Sequence, residues 1–132
     1  FMKYPFTPKS TSYLEPGHYW PIALSDGKYA CGVVVSKLMD IHENKIESRL
    51  FLAALIDWSG RKPPTAEDIK DCKAIKVGGA HIKSITTAGV GIIGKADFEF
   101  LGQNPRQNSD DFATMGYNVL KVVAEKHFTK NS

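Results

Sequence analysis

The sequence predicts an α+β domain built on an antiparallel, strongly bent sheet or a partial SH3-like barrel, with a short helix after Pro64 and a C-terminal helix. The sheet is predicted because short apolar segments that alternate with period two are separated by Gly and Asp turns over residues 18–94. The helices are predicted because capping and amphipathic patterns follow Pro64 and recur at residues 109–128. We expect about five to seven strands in this sheet.

Length and composition indicate one folded domain. The chain has 132 residues, of which 42% are hydrophobic and 23% are charged, and this composition argues against a disordered chain. Residues 1–12, with Pro5 and Pro8, are predicted to form an extended N-terminal arm, and residues 13–132 are predicted to form the domain. The longest apolar run, residues 51–56, is far shorter than the roughly 18 residues of a membrane helix, so we expect no membrane span.

The first predicted strand covers residues 18–24. Its alternation places Trp20 and Ile22 on one face. Pro21 cannot donate a backbone hydrogen bond, so the strand is predicted to lie at a sheet edge or to be bulged. The Ser-Asp-Gly sequence at residues 25–27 then predicts a tight turn.

The second strand of this hairpin is predicted at residues 28–37. The apolar side chains at positions 29, 31, 33 and 35 share one face of the strand. On the opposite face, Ala30 and Gly32 are small enough to allow the close approach of another backbone or of a ring.

The middle of the chain is predicted to continue the sheet and to contain the short helix. Residues 40–48 are polar and mixed in charge, which predicts a solvent-exposed connection. Residues 49–58 are apolar on both faces, which predicts a central strand. Thr65 then caps a helix with Asp68 at its third position, and we expect this helix to end near residue 73. Further strands are predicted at residues 75–77, 81–86 and 90–94.

The C-terminal helix is predicted over residues 109–128. Acidic residues lie in its first turn and basic residues near its end, as the helix dipole prefers. The apolar stripe of this helix consists of Phe112, Met115, Val119, Val122 and Val123. We expect the stripe to pack on the sheet, with docking onto a partner as the alternative.

Charge and cysteine content narrow the classes of function. The formal net charge is +3, and residues 61–132, with 11 basic and 8 acidic side chains, carry all of it. A dedicated nucleic-acid binder usually has a denser basic stripe, so nucleic-acid binding is disfavoured. The two cysteines, Cys31 and Cys72, cannot form a disulfide framework and are predicted to be small structural thiols in a reducing, cytoplasmic compartment.

The sequence contains no recognisable catalytic or metal-binding pattern. The histidines at positions 18, 42, 81 and 127 do not have the close paired spacing of zinc ligands, so no metal and no cofactor are predicted. Cys31 lies in mid-strand on the inward face, where a nucleophile is not activated. The glycines at 89, 91 and 94 match a dinucleotide-binding string, but the residues after Gly94 alternate as a strand does, which favours hairpin turns. We therefore expect a protein that is not an enzyme.

Aromatic and acidic residues are the candidates for a recognition surface. Tyr and Trp are enriched at binding hot spots, although in a small β-rich domain they usually belong to the core. Asp57 beside Trp58, together with the acidic residues of the short helix, predicts an anionic patch, with a solvated helix face as the alternative. The candidate partner-binding residues are Trp20, Asp57, Trp58, Glu67, Asp68 and Asp71.

The first hairpin carries a resemblance to a known family. In residues 14–35 a Gly precedes an aromatic and apolar strand, and the strand is followed by Asp-Gly-Lys-Tyr-Ala-Cys-Gly-Val. This segment resembles the opening hairpin of the immunity protein 26 family, bacterial proteins predicted to protect against polymorphic toxins. The matching residues are Gly17, Asp26, Gly27, Tyr29, Ala30, Gly32 and Val33. The run at residues 21–24 departs from the usual Ile-Pro-Leu ending of the family's first strand.

The resemblance implies a non-catalytic cytoplasmic protein that binds and neutralises a cognate toxin. Such inhibition requires a complementary surface with a few aromatic or charged anchors, for which we take the six candidate residues. The alternative is a nucleic-acid- or peptide-binding module on an SH3-like barrel, which the aromatic first hairpin and several lysines favour. These lysines are Lys70, Lys73, Lys76 and Lys83. Pairing of the hairpin edge with a second copy, as a homodimer, is left open.

Overall fold

The computed structural model describes residues 3–98, 106–108, 112–116 and 118–129. Within these residues the strands are β1 (His18–Ala23), β2 (Tyr29–Asp40), β3 (Lys45–Gly60), β4 (Ala74–His81), β5 (Gly94–Lys95), β6 (Arg106–Asn108) and β7 (Thr114–Met115). The helices are α1 (Ala66–Ile69), α2 (Lys83–Thr86) and α3 (Val119–Phe128), and Thr11–Tyr13 form a 3-10 helix. None of these described helices combines the length and the apolar character needed to cross a membrane.

The strands form one bent, mixed sheet. Its order is β5-β1-β2-β3-β4-β7, and β6 pairs with β2. The pairings among β5, β1, β2, β3 and β4 are antiparallel, whereas β6 and β7 each pair in parallel. The predicted α+β class with a bent sheet is confirmed, but the sheet is mixed and not antiparallel throughout. Within the described residues the edge strands β5 and β7 do not pair, so the sheet is not closed into a barrel.

Strands β2 and β3 form a long central hairpin. Three register shifts interrupt their pairing, and such bulges bend a strand. Residues 40–48 are mostly exposed, as predicted, but the connection is shorter than predicted because Asp40 already pairs with Lys45. The carboxylate of Asp40 accepts the backbone N–H groups of His42 and Glu43 at 3.0 and 3.3 Å. A short turn stabilised in this way lets the two strands continue further than their polar composition predicts.

Both faces of the sheet are covered by buried side chains. The α3 face, named after the helix that packs on it, includes Trp20, Ile22, Phe51, Leu55, Leu120 and Ala124. The opposite α1 face includes Tyr19, Cys31, Val33, Ile56 and Ile69. Strand β3 contributes to both clusters, so the predicted central strand with two apolar faces is confirmed.

Trp20 is the largest of the wholly buried side chains, with an exposed fraction of 0%. Its Cα lies opposite that of Gly32 across the pairing of β1 with β2. A Cβ built on Gly32 would lie 2.3 Å from Cζ2 of the Trp20 ring. The ring also meets Phe51 edge-on, with ring centroids 5.9 Å apart. Gly32 therefore admits the ring, as its small size predicted.

Helix α1 begins where the sequence predicts and ends earlier. Thr65 Oγ1 accepts the backbone N–H of Asp68 at 3.3 Å, and Asp68 Oδ2 accepts the backbone N–H of Thr65 at 3.1 Å. This capping box pairs the N–H of Thr65 and gives the N–H of Asp68 a second acceptor beside the carbonyl of Thr65 at 3.0 Å. The helix ends at Ile69 and not near residue 73, with Ile69 buried against the sheet.

The strands predicted at residues 81–86 and 90–94 are only partly present. Residues 83–86 form helix α2, because Ile82 and Ile85, three residues apart, both reach the buried interior from a single helical turn. The segment at 90–94 forms an isolated bridge at Ile92 and the first residue of β5. Period two and a short helical turn are hard to separate in so brief an apolar segment.

The C-terminal helix is shorter than predicted, and its buried face differs in part from the predicted stripe. It begins at Val119, and the predicted start at residues 109–111 lies outside the described residues. Met115 belongs to β7, where Gly78 leaves room for it: a Cβ on Gly78 would lie 3.0 Å from Met115 Cγ. The helix packs on the sheet as predicted, through the buried Leu120 and Ala124 and through Val119 and Val123 of the predicted stripe, whereas Val122 is 45% exposed.

The N-terminal segment lies against the sheet beside β1. The backbone N–H of Phe6 donates to the carbonyl of Ile92 at 3.0 Å, and the N–H of Ile92 donates to the carbonyl of Phe6 at 2.8 Å. A Cβ on Gly91 would lie 2.4 Å from the Phe6 carbonyl oxygen, so a glycine is needed at this crossing. The rings of Phe6 and Tyr4 both pack against His18.

We expect Gly32→Ala to lower the free energy of unfolding by about 1–3 kcal/mol, because the added methyl group would overlap the Trp20 ring and force a shift in the core. Urea unfolding would measure the loss. Gly116→Ala is the matched control, since within the described residues its Cβ would meet nothing closer than Val119 Cγ2 at 3.8 Å. An equal loss in both variants would contradict the assignment of a packing role to Gly32.

Candidate functional site

The structure separates Trp20 from the other five candidate residues. Trp20 is wholly buried on the α3 face, so a partner has no access to its ring in this structure. The alternation in the first hairpin could not show whether the face that carries Trp20 is buried or exposed, because both faces of β1 and β2 are apolar. The remaining candidates lie around the end of β3 and α1. We call this region the Trp58 surface; it consists of Asp57, Trp58, Glu67, Asp68 and Asp71.

Trp58 is held in place although it is only partly buried. Its side chain packs against the α1 face cluster. A Cβ built on Gly60 would lie 2.7 Å from Cζ2 of the Trp58 ring, so the ring lies over the glycine two residues later. The ring is therefore held against the sheet while the side chain stays partly exposed.

Asp57 is bound to helix α3 through its carboxylate. Its Oδ1 lies 3.3 Å from Nε2 of His127, and more than two fifths of each side chain is exposed. Its backbone N–H donates to the carbonyl of Lys73 at 2.8 Å, which ties the end of β3 to the segment after α1. An exposed pair of this kind contributes little to stability and can be exchanged for another partner.

The carboxylates of the α1 segment differ in their local partners. Glu67 Oε1 accepts a hydrogen bond from Nζ of Lys70 at 2.8 Å, and Asp68 is used in the capping box. Asp71 is exposed and pairs with no cation among the described residues. Asp71 is therefore the candidate carboxylate that is most available to a partner.

Three of these carboxylates act on the thiol of Cys72, which lies just after α1. Burial raises the pKa of its thiol above the ordinary value, and the negative charges of Asp57, Asp71 and Asp68 raise it further. Burial also raises the pKa of the Cys31 thiol well above its ordinary value. Both thiols are therefore protonated near neutral pH, which does not suit a nucleophile.

His18 is a wholly buried histidine on β1. Its Nδ1 accepts the backbone N–H of Glu15 at 2.9 Å, so the proton of the neutral ring is on Nε2, which has no hydrogen-bond partner. Burial lowers the pKa of His18; Glu15 partly opposes this effect and Lys95 adds to it. Lys95 and Glu15 themselves form an ion pair of 3.0 Å. With the rings of Tyr4 and Phe6 against it, His18 has no access to a substrate.

A cavity of about 140 Å³ lies between the end of β1, α2 and the first turn of α3. Its walls combine apolar side chains of Ile22 and Leu120 with polar residues. The polar lining residues are Ser84, Thr87, Asn118 and Lys121. The sequence did not predict this cavity, because its pattern indicated a strand at residues 81–86 and an earlier start of the last helix.

Metal binding finds no support in the described part of the chain. Among residues 3–98, 112–116 and 118–129, no three His, Cys, Asp or Glu side chains are grouped closely enough to hold a metal ion. Comparisons with protein-family models, with curated proteins and with solved structures give no match to this chain. The case for a function therefore depends on the chemistry of the surfaces.

We expect the protein to lose stability as the pH falls below about 6.5, the ordinary pKa of histidine. Because burial lowers the pKa of His18, the unfolded chain takes up its proton at a higher pH than the folded protein does. The stabilising contribution of neutral His18 is complete above this range and is lost as the pH falls. Protonation would also remove the acceptor of the Glu15 N–H.

Urea unfolding between pH 7.5 and pH 5 would measure this dependence. His18→Gln should flatten the decline. The same slope in the wild type and in His18→Gln would rule out His18 as the cause.

Proposed function

We propose that this protein is a non-catalytic immunity protein that binds and neutralises a cognate bacterial toxin, and that the Trp58 surface makes the contact. The observation that carries the proposal is the partly exposed Trp58 ring, fixed over Gly60 beside exposed carboxylates. A fixed aromatic side chain loses little conformational freedom on binding, and Trp is enriched among interface hot spots. The resemblance of the first hairpin to an immunity family supports the same function.

The carboxylates should contribute in a definite order. Among the described residues Asp71 has no cation to give up, whereas Asp57 would have to leave His127, and Glu67 would have to leave Lys70. Asp68 should contribute least, because its carboxylate caps α1. The partner that fits this surface presents an apolar pocket for the indole ring with cationic side chains around it.

The state of the thiols and of His18 supports a binding role over a catalytic one. Both cysteines are free, with pKa values raised by burial, and His18 is enclosed. Free thiols also support a reducing, cytoplasmic compartment. The alternative nucleic-acid- or peptide-binding module loses one of its arguments, because the sheet is not closed into a barrel. Of its four lysines, Lys70 is already paired with Glu67.

We expect Trp58→Ala to weaken the complex with a toxin encoded beside its gene by about 30-fold, the equivalent of about 2 kcal/mol for a hot-spot residue. Asp71→Asn should weaken it by a few-fold and more than Asp68→Asn does. Calorimetric titration of the purified pair would measure these changes, and survival of cells that express the toxin would measure protection.

Two control variants separate binding from folding. Trp58→Phe keeps an aromatic ring over Gly60 and should retain most of the affinity. Glu43→Gln removes an exposed charge at the turn between β2 and β3 and should leave the affinity unchanged. A toxin that forms no complex with the wild type, together with no protection of cells, would refute the proposed function.

A further inference from the structure

A short segment near the N-terminus covers the ring of His18, and we call this segment, residues 3–7, the strap. The rings of Tyr4 and Phe6 meet the His18 ring edge-on, with centroids 6.0 and 5.4 Å away. Phe6 also exchanges two backbone hydrogen bonds with Ile92, of 3.0 and 2.8 Å. The exposed fraction of His18 is 0%, so its ring is closed off from water while the strap is in place.

The strap is held less firmly than the chain that follows it. Tyr4 is 41% exposed, and Phe6 is partly buried. Further along, the side chain of Thr11 is buried, and its hydroxyl donates to the carbonyl of Glu47 in β3. A segment with few buried contacts and few hydrogen bonds opens at a lower free energy than the central strands of a sheet do. The strap can therefore lift from the histidine ring while the rest of the chain stays in place.

The closed arrangement accepts only the neutral form of His18. Its Nδ1 accepts the backbone N–H of Glu15 at 2.9 Å, so Nδ1 carries no proton. Protonation places an N–H on both ring nitrogens. In the closed arrangement the new Nδ1–H would point at the N–H of Glu15, and Nε2 has no hydrogen-bond partner. A charged group that is buried without a partner is strongly disfavoured.

The charges around His18 do not compensate a protonated ring. Among the described residues, Glu15 is the one carboxylate that acts on the ring, and it is already paired with Lys95 at 3.0 Å. Lys95 itself disfavours the protonated form, and burial, the largest effect, lowers the pKa of His18. The other titratable side chains on the segments around His18 are Lys3 and Tyr4 of the strap, Tyr19 of β1, Lys37 of β2 and Asp97 after β5.

We propose that the strap is a pH-operated cover, which stays closed over neutral His18 and is released when the ring takes up a proton. Release lets water reach both ring nitrogens and the N–H of Glu15, and it uncovers the backbone of Ile92. Histidine is the side chain that ordinarily titrates between pH 5 and 8. The sheet stays folded, so this event is distinct from a loss of overall stability. The inference does not depend on the proposed toxin binding.

The test is a pH titration of the ¹⁵N-labelled protein from pH 7.5 to pH 4, followed by NMR. The His18 ring protons report the uptake of the proton, and heteronuclear NOEs of the strap amides report its release. We expect both changes below pH 6.5, the ordinary pKa of histidine, and with one midpoint. The amides of β2 and β3 should keep their native shifts. Titration of His18 with an unchanged strap would overturn the proposal, as would simultaneous loss of the strap and sheet signals.

A weakened strap should in turn change the titration of His18, because coupling between two equilibria is reciprocal. Phe6→Ala removes one ring of the cover and should raise the His18 midpoint towards 6.5. Tyr13→Ala is the matched control, since it removes an exposed ring outside the strap and should leave the midpoint unchanged. Equal midpoints in the wild type and in Phe6→Ala would overturn the proposal.

Histidine variants identify the group that takes up the proton. His18→Gln cannot be protonated in this range, so its strap should stay closed at the pH that releases the strap of the wild type. His81→Gln is the control, because Nδ1 of His81 also accepts a backbone N–H, that of Lys83 at 3.0 Å. Its strap should be released as in the wild type. Release in His18→Gln, or no release in His81→Gln, would overturn the proposal; if His18→Gln does not fold, the wild type and Phe6→Ala decide.

Discussion

The close contact between the Trp20 ring and Gly32 organises the α3 face of this protein. The two residues lie opposite each other in the β1 and β2 pairing, and the ring occupies the space that any side chain at residue 32 would need. The ring then meets Phe51 of β3 edge-on, so one side chain joins three neighbouring strands. Leu120 and Ala124 of α3 belong to the same buried cluster, so this helix packs on the core that the ring helps to fill.

The alternation of side chains along the strands also determines which residues lie on the opposite face of the sheet. With Trp20 on the α3 face, its neighbour Tyr19 must lie on the α1 face, where Ile56 and Ile69 also pack. The same alternation along β3 brings Trp58 to the outer part of this cluster, where it stays partly exposed. Its neighbour Asp57 faces the α3 side, where its carboxylate pairs with His127. The residues of the Trp58 surface therefore come from both faces at the end of β3.

Among the described residues, four buried side chains have one polar atom without a hydrogen-bond partner: His18, Trp20, Ser36 and Ser84. His18 is enclosed by the rings of Tyr4 and Phe6, and its remaining nitrogen supports the backbone at Glu15. Its neutral form is part of the packed N-terminal segment. Ser84 lies in α2, beside the cavity that the start of α3 and Lys121 also border.

The sequence by itself determined the first hairpin, the central strand and the capped start of α1, because each depends on residues close together in the chain. Alternation, a Ser-Asp-Gly turn and the Thr65 capping box act locally. Local signals also marked Trp58 as a candidate, but they marked Trp20 equally, since both faces of the first hairpin are apolar. Tertiary structure alone decided that Trp20 is core, that residues 83–86 form a helix and that the last helix begins at Val119. These outcomes depend on contacts between residues that are distant in the chain, such as Trp20 with Phe51 and Gly78 with Met115. Such contacts do not produce a periodic pattern in the sequence.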